Sequence, residues 1–161
     1  MALTLLDCSG NWDSRRLSIH SLAGCPYSVQ TLDCSDTRVT ELGPLAACTL
    51  LQTLDCSQTR VTELDPLAAC TLLQTLVCSS TSVVELGPLA AFELLQTLDC
   101  RFTKVRELDP LAACTLLQTL NLNWTRLSSL GPLAACTLLQ RFDYCETGVT
   151  TLGPFAFNFK K

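Results

Sequence analysis

The sequence has few of the residues on which catalytic and nucleic-acid-binding proteins depend. Among 161 residues there is one histidine, only 16% are charged, and the net charge is −4. A negative balance disfavours nucleic acid as the main partner. No run of about 18 apolar residues is present, so no membrane-spanning helix is expected. The N-terminus lacks the basic start and long apolar stretch of a signal peptide, which favours an intracellular, cytoplasmic protein.

Motifs for catalysis and for metal binding are also absent from the sequence. There is no phosphate-cradling glycine-rich loop, no nucleophile elbow and no metalloprotease helix. The eleven cysteines include no C-x-x-C pair, and His20 is the only histidine that could join them around a metal. Repeated single carboxylates without a dense oxygen cluster argue against calcium. We therefore predict that the protein is not an enzyme and holds neither cofactor nor metal.

A repeat of 22 residues dominates the sequence instead. Five units, residues 29–138, follow one another without insertion or deletion, and each has a leucine at the same place: Leu32, Leu54, Leu76, Leu98 and Leu120. An irregular unit, residues 3–28, precedes them, and a truncated unit with an apolar end, residues 139–161, follows. A fixed period is the signature of stacked structural units, so we expect one domain, residues 1–161, of about seven coils.

Each unit predicts one short strand and one compact return. In L-D-C, apolar residues alternate with Asp, so Leu54 and Cys56 are expected to point inward and Asp55 to face solvent. The next inward positions are predicted to be Val61, Leu64, Leu67 and Leu72. Pro66 limits any helix to a short one that begins there. This predicts an α/β solenoid with a parallel sheet on its concave face and short helical or extended returns on its convex face.

The units resemble the 22-residue leucine-rich repeats of bacterial internalins and of phosphatase-regulating repeat proteins. The resemblance covers residues 3–154 and rests on the strand pattern L-x-x-L-x-C, the turn after it and the return with x-P-L. Units with C-S-x-T and L-A-A-C are also similar to repeat proteins of trypanosome-like protists. Cysteine replaces the second strand leucine in most units, and threonine replaces the turn asparagine, which remains only as Asn11. A threonine hydroxyl can still bond the backbone of the turn.

The cysteines fall into two repeat columns. The strand column holds Cys8, Cys34, Cys56, Cys78 and Cys100, and the return column holds Cys25, Cys48, Cys70, Cys114 and Cys136. Phe92 also occurs in the return column, which indicates an apolar, buried position. Coils about 4.8 Å apart do not suit disulfides, whose Cβ atoms lie about 3.8 Å apart. We expect free thiols in a reducing compartment, with Cys145 as the one cysteine that faces solvent and is a candidate reactive thiol.

Positions that vary between units indicate where a partner would bind. Phe102 and Trp124 occupy adjacent coils beside Arg101, and exposed aromatic residues with arginine are typical of binding hot spots. The alternative is that Trp124 only folds over the neighbouring coil. The outward strand position forms a mostly acidic column, which consists of Asp7, Asp33, Asp55, Val77, Asp99, Asn121 and Asp143. This acidic strand column predicts a basic partner, a solvated charge ladder, or neutralisation by the row Arg38, Arg60, Lys104 and Arg126. The candidate partner-binding residues are Asp33, Asp55, Asp99, Arg101, Phe102, Asn123, Trp124 and Asp143.

Two functions remain open from the sequence. The first is a non-enzymatic scaffold that binds a protein or peptide on its concave face. The alternative is a structural subunit of a large intracellular assembly, or a self-associating array held end to end, because the first strand begins almost at Met1 and leaves no room for a cap. The resemblance to phosphatase-regulating repeats implies a third function, a regulatory subunit of a phosphatase.

Overall fold

Seven three-residue strands form one parallel sheet, in the order in which they occur in the chain. The computed structural model describes residues 5–7 and 28–150. The strands are β1 (Leu5–Asp7), β2 (Thr31–Asp33), β3 (Thr53–Asp55), β4 (Thr75–Val77), β5 (Thr97–Asp99), β6 (Thr119–Asn121) and β7 (Arg141–Asp143). Equivalent residues of successive units pair, as Leu32 does with Leu54. The prediction of a solenoid with seven coils and a parallel sheet is confirmed.

The returns are short 3₁₀ helices that begin one residue before the proline. They comprise Gly43–Ala47, Asp65–Ala69, Gly87–Ala91, Asp109–Ala113 and Gly131–Ala135. The backbone N–H of Leu67 donates to the Leu64 carbonyl at 2.8 Å, and that of Cys70 donates to the Leu67 carbonyl at 2.7 Å. These are the i to i+3 bonds that define a 3₁₀ helix. The predicted short helix at Pro66 is confirmed.

The three-residue step of the return corrects the prediction that Leu72 points inward. After Cys70, the next backbone bond runs from the Leu73 N–H to the Cys70 carbonyl at 3.0 Å. A step of three brings every third residue to the same side, so Leu67, Cys70 and Leu73 form one inward series. Leu73 is fully buried, whereas Leu72 is 37% exposed. The prediction was wrong because it assigned the wrong one of two adjacent leucines to the core.

Both cysteine columns are buried wherever the structure describes them, as predicted. Cys8 and Cys25 lie outside the described residues. In the return column, the thiols of Cys70 and Cys114 donate to the carbonyls of Leu45 and Leu89 in the preceding coil, both at 3.3 Å. Burial raises the pKa of Cys70 to about 11, and burial together with the neighbouring Cys136 raises that of Cys114 to about 12. These side chains are therefore neutral thiols that pack as small apolar groups.

The threonine that replaces the turn asparagine closes the turn with its hydroxyl. The Thr59 hydroxyl donates to the Cys56 carbonyl at 2.6 Å, and the Thr103 hydroxyl makes the same bond to Cys100 at 2.6 Å. Equivalent bonds are made by Thr37, Thr81, Thr125 and Thr147. This confirms the prediction that threonine substitutes for asparagine without loss of the fold.

Candidate functional site

The turn after each of the strands β2 to β7 contains a residue with left-handed backbone. Its φ lies between 53° and 58° at Asp36, Gln58, Ser80, Phe102, Trp124 and Glu146. In this conformation the backbone N–H of Phe102 donates to the Asn123 carbonyl at 2.9 Å, and that of Trp124 donates to the Cys145 carbonyl at 2.9 Å. The same bond to the next coil recurs in the earlier units. The repeat architecture therefore imposes this conformation, whatever the side chain.

Two large aromatic side chains occupy this unfavourable position in adjacent coils. Left-handed backbone costs a residue with a Cβ about 1–2 kcal/mol, and bulky residues are rare there. Phe102 and Trp124 stack with ring centroids 5.8 Å apart and an angle of 15° between the planes. Even so, they remain 52% and 54% exposed. Stacking stabilises such a pair by about 0.5–1.5 kcal/mol, which offsets only part of two such costs.

A charged pair lies beside the aromatic stack. The Nε of Arg101 lies 3.3 Å from Oδ2 of Asp99, and their side chains are 49% and 20% exposed. The backbone N–H of Arg101 also donates to Oδ1 of Asp99 at 3.1 Å. A pair this exposed contributes little to stability. It does place a cation and an anion in fixed positions next to two exposed rings.

The acidic strand column has a structural role that the sequence did not predict. Oδ1 of Asp33 accepts the backbone N–H of Ser35 at 2.9 Å, and Oδ1 of Asp55 accepts that of Ser57 at 2.9 Å. Asn121 makes the equivalent bond in its own coil at 3.1 Å. Such side-chain bonds to the backbone two residues ahead stabilise turns. The turn bond uses one oxygen of each carboxylate, so a role in binding is compatible with this one.

The sequence left neutralisation by the neighbouring basic row as one of three explanations for the acidic column, and within residues 28–150 the two sets form no ion pair with each other. Among residues 28–150, the one ion pair joins Arg101 to Asp99. The basic row consists of Arg38, Arg60, Lys104 and Arg126, all exposed. The Lys104 amine instead approaches the Ser82 hydroxyl at 3.5 Å. The left-handed turn lies between the strand and this row, which separates the two sets of charges.

The predicted site residues do not all come together. Asp99, Arg101, Phe102, Asn123 and Trp124 lie in two adjacent coils and form one surface, which we call the aromatic patch. Asn123 also joins this surface to the next coil, because its Oδ1 accepts the backbone N–H of the exposed Cys145 at 2.6 Å. The remaining three predicted residues lie on other strands: Asp33 on β2, Asp55 on β3 and Asp143 on β7.

A second exposed apolar feature was missed in the sequence. Leu72 and its equivalents, Leu50, Leu94, Leu116 and Leu138, are between 37% and 48% exposed. The signal was present, because each of these leucines directly precedes another leucine, and two adjacent residues of a 3₁₀-like turn do not both face the core.

The described residues contain neither a candidate metal site nor a candidate membrane span. No cluster of three or more histidine, cysteine or acidic side chains in residues 28–150 could hold a metal ion. In the same part of the chain, no helix has the length and apolar character needed to cross a bilayer.

Comparison with known proteins connects this geometry to leucine-rich repeats. The family described as "Leucine Rich repeats (2 copies)" matches residues 28–69. No curated protein sequence matches the chain closely enough to count as a relative. The structure of an internalin, InlF of Listeria monocytogenes, superimposes with a TM-score of 0.80 at 22% identity over 83% of this chain. This chain spans 39% of the length of that internalin.

Two further structures resemble the chain in informative ways. The functional domain of InlJ from Listeria monocytogenes, described as including a cysteine ladder, has a TM-score of 0.73 and 30% identity over 78% of this chain and 27% of its own. The ectodomain of the Arabidopsis thaliana receptor kinase GASSHO1/SCHENGEN3, solved with CASPARIAN STRIP INTEGRITY FACTOR 2, has a TM-score of 0.72. At 19% identity over 81% of this chain and 17% of its own, that likeness concerns the fold alone.

Proposed function

The chain is a leucine-rich-repeat protein, and we propose that it is a non-enzymatic scaffold that binds a protein or peptide on its concave face through the aromatic patch. Leucine-rich-repeat proteins generally act in protein–protein interaction. The observation that carries the proposal is the stack of Phe102 on Trp124, which leaves both rings more than half exposed.

The backbone under the stack supports a role in binding. At the same left-handed position other coils have Asp36, Gln58 and Ser80, which are smaller or more polar than the two aromatic residues. Residues held in costly conformations are often retained because they serve a site. Large aromatic side chains with an adjacent arginine are the residue types that contribute most to protein interfaces. We infer that Phe102 and Trp124 are the anchors of the interaction.

The acidic strand residues extend the proposed surface beyond the two aromatic coils. Asp55 and Asp33 lie on strands two and three removed from β5, and Asp143 lies on the strand after β6. An extended partner that crosses the sheet would meet these carboxylates on either side of the aromatic patch. We propose that they contribute orientation through charge rather than most of the affinity.

The proposal is tested by comparing partner capture with two matched variants. The double variant Phe102→Ser, Trp124→Ser removes both rings, and serine is known to be tolerated at this position because Ser80 occupies it with the same φ. The control Val84→Thr changes another exposed apolar residue into the threonine that Thr62 supplies in the preceding coil.

Quantitative mass spectrometry of proteins captured from cells is the measurement. We expect a protein that the wild type and the Val84→Thr control capture equally and that the double serine variant loses by at least tenfold. Thermal unfolding of all three proteins confirms that each is folded. Equal capture by all three would rule out the aromatic patch as the binding surface.

A further inference from the structure

The exposed leucines form a continuous apolar stripe along the solenoid. The leucine stripe consists of Leu50, Leu72, Leu94, Leu116 and Leu138, with exposures of 43%, 37%, 37%, 37% and 48%. Each follows a 3₁₀ helix and precedes the next strand, so one leucine stands at the same turn of five successive coils. Within residues 28–150 the other exposed large apolar residues are Val84, Phe102 and Trp124. Most of the exposed apolar bulk therefore lies on this stripe, away from the aromatic patch.

The surroundings of the stripe are almost free of charge. Residues 45–53, 67–75 and 111–119 contain no charged side chain, residues 89–97 contain only Glu93, and residues 133–141 contain only Arg141. Alanines of the preceding 3₁₀ helices, such as Ala46, Ala68 and Ala90, are also exposed. A surface with one basic residue among five coils does not suit the anionic headgroups of a membrane. An uncharged apolar surface of this size is typical of a protein interface.

We propose that the leucine stripe is the contact surface between two copies of this chain. The stripe has one leucine in each coil, so it suits a partner whose apolar residues have the same spacing. A second copy of this chain has that spacing because it has the same repeat. In a twofold arrangement the two stripes run antiparallel and pack against each other along their length.

The area of the stripe sets the expected strength of this contact. Five leucines exposed by about two-fifths present on the order of 400 Å² of apolar surface, about half of the roughly 800 Å² that each partner buries in a standard interface. The adjoining alanine and threonine side chains supply part of the remainder. We expect a reversible dimer with a dissociation constant on the order of 10–100 µM.

Glu93 opposes the proposed contact. It stands directly before Leu94, the central leucine of the five, where the other coils have Thr49, Thr71, Thr115 or Thr137. When two stripes overlap fully on a twofold axis, the two copies of the central coil lie closest together. The two Glu93 carboxylates then repel each other. Replacing this glutamate by threonine should strengthen the dimer.

Sedimentation velocity of the full chain between about 1 µM and about 1 mM tests the proposal. We expect the wild type to form a dimer as concentration rises, and the triple variant Leu72→Gln, Leu94→Gln, Leu116→Gln to remain monomeric. The variant Glu93→Thr should dimerise about three- to tenfold more tightly. The double variant Phe102→Ser, Trp124→Ser should dimerise like the wild type, which separates this surface from the proposed concave site.

Three outcomes would overturn the proposal. The first is a wild type that stays monomeric over the whole range, and the second is a dimer that the glutamine substitutions leave unchanged. The third is co-sedimentation of the wild type with phosphatidylcholine vesicles that the triple variant has lost, which would assign the stripe to lipid. If the triple variant does not fold, Leu94→Gln alone should weaken the dimer and Glu93→Thr should strengthen it. Absence of both effects would equally refute the proposal.

Discussion

At the scale of single residues, the left-handed position shows how the repeat constrains side chains. The left-handed residue has a positive φ in all six coils from Asp36 to Glu146. In the first five of these coils its backbone N–H also donates to a carbonyl of the next coil. The position therefore favours glycine, asparagine or aspartate on conformational grounds. Phe102 and Trp124 run against that preference. A residue that suits the left-handed backbone at this position serves the fold. A bulky residue there needs a reason other than the fold.

A glutamine pair tests the cost of the left-handed position. Gln58 is exposed and has a φ of 55°. We expect Gln58→Gly to raise the free energy of unfolding by about 0.5–1 kcal/mol, because glycine adopts this φ without steric cost. The control is Gln96→Gly, an equally exposed glutamine that is not among the left-handed residues and directly precedes β5. There glycine should lower the free energy of unfolding by about 0.5–1 kcal/mol.

Urea denaturation of the two variants and the wild type provides the measurement. Opposite signs for Gln58→Gly and Gln96→Gly are the expected result. A loss of stability in both would mean that the positive φ carries no conformational cost in this turn.

At the scale of the single coil, the structure shows which parts of the repeat a sequence specifies. The alternation of Leu54, Asp55 and Cys56 is sufficient to place a strand, because a period of two has one structural interpretation. The return has no such period. Leu72 and Leu73 are both apolar, and only the three-residue step of the 3₁₀ turn decides which of them is buried. The sequence therefore predicted the strands and the short helix at the proline, but it did not predict that Leu72 is exposed.

Adjacent leucines in one return test this correction. Leu73 is fully buried and Leu72 is 37% exposed. We expect Leu73→Ala to lower the free energy of unfolding by about 2–5 kcal/mol, because it leaves a cavity in the core. Leu72→Ala should cost about 1 kcal/mol or less, since its side chain remains partly in water.

Both variants are measured by urea denaturation at a protein concentration low enough to keep the chain monomeric. Equal costs for the two substitutions would contradict the three-residue step. The same comparison at Leu94 and Leu95 provides an independent repeat, because Leu95 is fully buried and Leu94 is exposed to the same extent as Leu72.

At the scale of the whole molecule, columns of equivalent residues have distinct roles. The thiol columns fill the core and the threonine column closes the turns. Asp33, Asp55 and Asp99 of the acidic column each bond the turn that follows their own strand. The two rings of the aromatic patch and the leucine stripe lie outside these columns of scaffold residues. The sequence predicted the aromatic patch because it interrupts the repeat. The sequence could not predict which acidic residues form ion pairs. Ion pairing depends on the direction in which the chain leaves the left-handed turn.

The buried thiols predict how the stability of the whole solenoid depends on pH. Burial raises the pKa of Cys70 from 9.0 to about 11 and, with the neighbouring Cys136, that of Cys114 to about 12. For Cys100, burial and the nearby Asp99 also raise the pKa. An unfolded chain releases these protons near pH 9, whereas the folded chain retains them. The stabilisation is therefore complete below pH 9 and is lost as the pH rises through the folded values.

Urea denaturation at several pH values between about 8 and 10.5 measures this dependence. In the upper part of that range, each retained proton lowers the free energy of unfolding by about 1.4 kcal/mol per pH unit. We expect Cys100→Ala to reduce the slope by about that amount, because it removes one such thiol. Leu122→Ala is the matched control, since Leu122 occupies the same column and does not titrate. It should lower stability at every pH and leave the slope as in the wild type, and an equal change of slope in both variants would mean that the buried thiols are not its source.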